Sequence, residues 1–166
     1  MSQATAVYPM RHKKVAKRQI EGDVVYKNKL VAQFVNYLMK SGKKTVAQNV
    51  LYETFGILSK KSKDPVLVFE QALQNVGPKQ EVKARRVGGA SYQIPIEIRG
   101  DRRMSLAMRW IINAAKSRPN KEFHRFSEKL AAEFMDAMEN KGEAIKKRDA
   151  VYRMAQANRA FAHFRW

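Results

Sequence analysis

Three histidines, His12, His124 and His163, are the only imidazoles available for acid–base work or metal binding, and the chain has no cysteine. The histidines are far apart and share no motif. His124 and Glu128 stand four apart, which on a helix would set two potential metal ligands on one face. The ordinary polarity of a solvated helix face accounts for that pair more simply. Gly42-Lys43-Lys44-Thr45 is similar to the end of a phosphate-binding loop, but the pattern fails. Tyr37 stands where the upstream glycine belongs, and Lys44, not Ser or Thr, follows the first lysine. Gly88-Gly89 lies between two strand-like runs instead of between a strand and a helix, so it is no dinucleotide fingerprint. Without cysteine there is no disulfide, no thiolate nucleophile and no zinc ribbon. No catalytic residue, metal or cofactor is expected.

The residues that do stand out are cationic. Thirty-three Lys and Arg face fifteen Asp and Glu, a net charge of +18 on 166 residues. Such a surface repels itself unless a polyanion neutralises it. Nucleic acid does so with release of its condensed counterions. A surface built only for solubility is the alternative, but acidic residues or balanced signs serve that purpose better. The excess positive charge is concentrated in residues 1–30, 76–109 and 140–166, whereas the signs balance across 110–139. That pattern suits a partner touched in several places, with one segment kept for internal packing.

Three basic constellations follow. The first is an arm carrying Arg11, Lys13, Lys14, Lys17 and Arg18, joined by Lys27, Lys29 and the Lys43-Lys44 corner. The second is Lys83, Arg85 and Arg86, followed by Arg99, Arg102 and Arg103. The third is Lys146, Lys147 and Arg148 with Arg153, Arg159 and Arg165. In the tail, Phe161, His163, Phe164 and Trp166 interleave with the arginines. Rings can stack on bases while cations pair with phosphates; the other reading is a hydrophobic strap docked on the body.

The elements that must position these groups are mostly helical. Residues 1–20 hold no acid and no apolar stripe, so they read as an extended basic arm that orders on nucleic acid, or as an organellar transit segment. A stripe of Leu30, Phe34 and Leu38, with Val31 and Val35, predicts a first helix from Lys27 to about Gly42. A second runs over Thr45–Leu58, with Val46, Val50, Leu51, Phe55 and Leu58 inward. A third opens at Asp64-Pro65, points Phe69, Ala72, Leu73 and Val76 inward and ends at Gly77-Pro78. Asp101 is the expected cap of a fourth, with Met104, Met108, Ile111 and Ala115 as its stripe and Arg118-Pro119 as its stop. Trp110 falls at the rim of the core. A fifth is expected over Lys121–Glu139 with Phe123, Phe126, Leu130, Phe134 and Met138 inward, and a sixth over Glu143–Gln156.

Between the third and fourth helices, Lys79–Arg86 and Ser91–Ile98 flank Gly88-Gly89 and read as a β-hairpin. A two-residue turn would pair Arg86 with Ser91. It would also set Lys83 and Arg85 on the face of Tyr92, Ile94 and Ile96, at a cost in buried charge. An odd loop that pairs Arg86 with Tyr92 is therefore expected. The fold class is mainly α: a single domain of about six helices with an extended hairpin. Residues 1–23 form the arm, and 24–166 the helical domain with hairpin 79–98 and tail 157–166. Hydrophobic residues make up 45% of the chain, enough for a core. The apolar runs are too short for a membrane span, which needs about 20 residues, or for a signal peptide, which needs about 7–15 near the start.

Two strings carry a family resemblance. Arg85-Arg86-Val87-Gly88-Gly89-Ala90-Ser91-Tyr92-Gln93-Ile94-Pro95 resembles the hairpin signature of the bacterial small-subunit ribosomal protein seven family. Met154-Ala155-Gln156-Ala157-Asn158-Arg159-Ala160-Phe161-Ala162-His163-Phe164-Arg165 resembles its ending. Gly42-Lys43-Lys44 and Arg109-Trp110 fall where that family has them. The likeness runs from about residue 24 to the end; Tyr152 stands where many members carry His. The resemblance implies six helices plus a hairpin and primary binding to 16S-type rRNA in the 3′ major domain, nucleating the subunit head. It implies a cytoplasmic small subunit, or that of an organelle, and a seat by the exit-site tRNA and the mRNA. The ninth and eleventh small-subunit proteins would be neighbours. On this reading the rRNA-binding residues are Arg11, Lys13, Lys14, Lys17, Arg18, Lys27, Lys29, Lys43, Lys44, Arg99, Arg102, Arg103, Arg109, Lys116 and Arg118. Those near mRNA and tRNA are Lys83, Arg85, Arg86, Gly88, Gly89, Lys146, Lys147, Arg148 and Arg153. An architectural DNA-binding protein with β-ribbon arms is the rival among binding proteins, and an enzyme the rival of another class.

Overall fold

Asn28 opens the first helix, α1 (Lys29–Leu38), by accepting the Leu30 N–H at 2.8 Å. Its amide nitrogen donates to Glu70 at 2.7 Å, so the same side chain fixes the helix start and ties it to the third helix. The helix is shorter than its apolar stripe implied, because Lys27 has φ +50 and Met39 turns extended. The computed structural model describes residues 19–62 and 64–164. Among these, α1 is followed by α2 (Lys44–Ser59), α3 (Pro65–Val76), β1 (Gln80–Val87), β2 (Ala90–Glu97), α4 (Gly100–Ser117), α5 (Phe126–Met138), α6 (Glu143–Ala157) and a terminal 3-10 helix (Arg159–Phe164). The chain is thus mainly α with one antiparallel hairpin between α3 and α4, as its patterning implied.

The stripes meet in one core. Phe69 of α3 sits at its centre, with ring centroids 5.5 Å from Phe34, 5.7 Å from Phe55 and 5.4 Å from Phe134. All four rings are fully buried, and the contacts with Phe69 are edge-on, the arrangement that the ring quadrupole favours. Met108 and Ile111 of α4, Leu130 of α5 and Ile145 of α6 extend the cluster. Three residues expected inward are not part of it: Val46 is 55% exposed, with Ala47 in the inward place, and Val50 and Phe123 are only half-buried.

Two caps differ from expectation. Asp101 is not the cap of α4; Arg99 is, and Asp101 lies in the first turn, where its charge suits the positive helix end. The fifth helix begins at Phe126, five residues after Lys121. Glu128 reaches back to accept the N–H groups of His124 and Arg125 at 3.1 and 3.2 Å. The His124/Glu128 spacing therefore records a helix start.

The hairpin corrects the expected register. Arg86 pairs with Ser91, Arg85 with Tyr92 and Lys83 with Ile94. Gly88 (φ +57) and Gly89 (φ +89) make a two-residue turn, with the consecutive positive φ values of a type I′ turn, whose twist matches that of the strands. The charge cost that argued against this register does not arise. Lys83 and Arg85 remain exposed although Ile94, on their side of the ribbon, is fully buried. Long cationic side chains keep their heads in water while their stems cover apolar surface. Tyr92 lies 5.1 Å from Phe161 and 5.5 Å from Phe164, ring to ring. The tail thus docks on the hairpin as a strap.

Candidate nucleic-acid interface

The cations divide into those spent inside the fold and those left on its surface. Arg118 follows α4 and donates to Glu133 at 2.9 and 2.6 Å, and also to Asp136. Burial opposes its charge, but the bonds to Asp136 and Glu133 outweigh that and hold its pKa above the usual arginine value. Arg103 donates to the carbonyls of Gly77 at 2.9 Å and Gln74 at 3.0 Å, closing the end of α3. Arg148 donates to Asn75 O at 2.7 Å and to Asp149 at 2.8 Å. These three, all read from sequence as RNA contacts, are half-buried and hold helix ends together. Such an end carries carbonyls without intrahelical partners, and a guanidinium satisfies two at once.

A second group is exposed but engaged. Arg102 forms a two-toothed pair with Glu81, both bonds 2.8 Å, joining α4 to the base of β1. That pairing raises its pKa. Lys146 lies 2.6 Å from Glu143 within α6, and the hydrogen bond raises its pKa. Arg109 stacks over the ring of Tyr37, 5.5 Å from the centroid. Tyr37 itself donates to Ser105 at 2.8 Å. Nothing local in the sequence points to Tyr37, which α1 brings to α4 across the fold.

The remaining predicted cations are exposed. Lys27 and Lys29 flank the start of α1, Lys43 and Lys44 that of α2, and Arg99 that of α4. Lys116 is in the last turn of α4, and Lys147 and Arg153 lie along α6. Lys83, Arg85 and Arg86 lie along β1, next to the exposed Gly88-Gly89 tip. Arg11, Lys13, Lys14, Lys17 and Arg18 lie outside the described residues. The structure brings Lys43, Lys40 and Lys116 together as lining residues of one groove. Lys40 was missed in the sequence; its signal is the three-residue spacing to Lys43 across a tight corner. Among the described residues no group of three or more His, Cys, Asp or Glu is placed to hold a metal.

Comparison with known proteins identifies the family. The family described as ribosomal protein S7p/S5e matches residues 10–159, reaching back past Val24 into the arm. The small ribosomal subunit protein uS7 of Sorangium cellulosum is 52% identical over 157 residues, covering 94% of this chain and 99% of that protein. Its namesake from Syntrophus aciditrophicus is 53% identical over the same length and shares. That of Lactobacillus johnsonii is 52% identical over 153 residues, 92% and 96% of the two chains. With a match across nearly its whole length, the chain belongs to the ribosomal protein S7p/S5e family.

Proposed function

We propose that this chain is a structural constituent of the small ribosomal subunit. In this reading it binds 16S-type rRNA as a primary protein and nucleates the subunit head. It has no catalytic role. The hairpin and α6 sit by the exit-site tRNA and the mRNA, and the ninth and eleventh small-subunit proteins are its neighbours. The observation that carries this reading is the division of the cations. Arg103, Arg118 and Arg148 are consumed by the fold, yet exposed cations remain at the helix starts, along β1 and along α6. Phosphate contacts from such separate places position a body on a folded RNA, and the shape of the RNA supplies much of the specificity. The names of the relatives, all small-subunit proteins, support the same assignment. No helix among the described residues is long and apolar enough to cross a membrane.

The test is co-sedimentation with the small subunit after a high-salt wash, with filter binding to structured small-subunit rRNA and to duplex DNA at one salt concentration. Retention and a clear preference for rRNA are expected. Equal or tighter binding to duplex DNA would favour the architectural DNA-binding reading.

A further inference from the structure

A groove runs between the α1–α2 corner and the end of α4. Its floor is apolar, formed by Leu38, Val46, Val50 and Phe126, and its rim carries Lys40, Lys43 and Lys116. It encloses about 320 Å³, the low end of the roughly 300–1,000 Å³ usual for small-molecule sites. No acidic side chain is among its lining residues, and none of the three lysines makes an ion pair among the described residues. Ser41 (φ +51) and Gly42 (φ +74) turn the chain sharply, and the Lys43 N–H donates to Lys40 O at 3.0 Å. That turn brings Lys40 and Lys43 to the same groove.

The start of α2 adds a second observation. Its cap is Lys43, no side chain caps it, and its first turn holds no acid. Lysines there have the wrong sign for the positive end of a helix. The Lys44 N–H already donates to Gly42 O at 2.8 Å; a bound anion removes the conflict of charge and gives the N–H groups of Thr45 and Val46 an acceptor. We propose that this groove receives one unstacked nucleotide of the RNA. The base lies on the apolar floor, and the phosphates on either side are held by Lys40, Lys43, Lys116 and the open start of α2. A nucleotide suits the site because its base is apolar on both faces and its charge is confined to the backbone. This inference rests on the RNA-binding reading given above.

The whole chain, methyl-labelled, is titrated with a single-stranded adenylate tetranucleotide. Ring-current shifts are expected at the methyl groups of Leu38, Val46 and Val50, and should vanish in a Lys43→Ala/Lys116→Ala variant. Shifts confined to other methyl groups overturn the proposal. Filter binding to small-subunit rRNA supplies a second readout. Val46→Asn adds no charge at an exposed position, and its unfolding temperature should match that of the parent. It should bind several-fold more weakly at every salt concentration, because less apolar surface is covered, with the salt slope unchanged, since an apolar contact releases no counterion. Unchanged rRNA affinity in this variant overturns the proposal while leaving RNA binding intact. If the variant keeps its rRNA affinity but no longer recovers a protein from a small-subunit extract, the groove serves a protein partner and the proposal fails. Failure of the parent chain to bind rRNA would instead remove the underlying reading.

Discussion

Asp23 is buried, and its carboxylate is fully engaged. It accepts N–H groups from Val25 and Tyr26 at 3.2 and 3.3 Å, while the Tyr52 hydroxyl donates to it from 2.9 Å. The cluster locks the chain where the arm joins the body. Burial, then the hydrogen bond to Asp23 and its negative charge, push the Tyr52 pKa from 10.0 up to about 12. A group whose pKa is raised on folding contributes stability that is complete below its unfolded pKa and lost above its folded one. Tyr52 should therefore stabilise the protein up to about pH 10, and that contribution should disappear by about pH 12. Urea unfolding across this window should show the parent losing stability relative to Tyr52→Phe; a constant difference would mean the hydroxyl is not held as described. Glu133 is a second buried carboxylate, fully enclosed, accepting from Arg118 and from the Ala144 N–H at 3.1 Å. Glu133→Ala leaves the Arg118 charge with Asp136 alone, and should cost about 3 kcal/mol, the low end for a broken buried pair, in the same assay. Neither cluster was legible in the sequence. Asp23 and Tyr52 are 29 positions apart, and no local pattern marks a carboxylate that folding will enclose.

The elements were more legible than their pairings. Apolar stripes at helical spacing located the first five helices, because burial of one face is what makes them helical; the sixth is read without one, and it buries only Ala144, Ile145 and Ala155. Gly77-Pro78 and Arg118-Pro119 ended α3 and α4 as expected, since proline cannot continue a helix. The hairpin was legible as a hairpin but not in register. The expected pairing rests on the cost of burying Lys83 and Arg85, and that cost depends on a cover that comes from elsewhere. The cover is the terminal 3-10 helix against β2, with α6 against both strands. A lone two-stranded ribbon is marginal in water, so the hairpin should depend on that strap. Ile94 is fully buried and Ile96 only partly so. Ile94→Ala should cost about 2–5 kcal/mol, and Ile96→Ala clearly less. Removing residues 158–166 should speed amide exchange across 90–96 while the amides of α3 and α5 stay protected. Unaltered exchange in β2 would show that α6 alone holds the ribbon.

Across the whole molecule, the core and the charge fall on different residues. The central phenylalanines need no cation, and the exposed cations, apart from the few that fasten helix ends, do little for the fold. A net charge of +18 then works against the free chain and in favour of the bound one. Binding driven this way carries a signature in salt. With about 6–10 phosphates neutralised on a duplex-like partner, affinity should fall about 10³- to 10⁵-fold between roughly 50 and 200 mM salt. A single-stranded partner gives a shallower slope, about 0.7 per phosphate against 0.9. Filter binding to small-subunit rRNA over that range measures the slope directly. Deleting residues 1–18 removes Arg11, Lys13, Lys14, Lys17 and Arg18. The slope should drop by up to about 0.9 for each phosphate no longer neutralised, while the helical circular dichroism of the body is unchanged. Two results would count against this account. A flat plot of log affinity against log salt would mean that shape and apolar packing, not charge, hold the RNA. An unchanged slope after the deletion would mean that the body alone neutralises the phosphates.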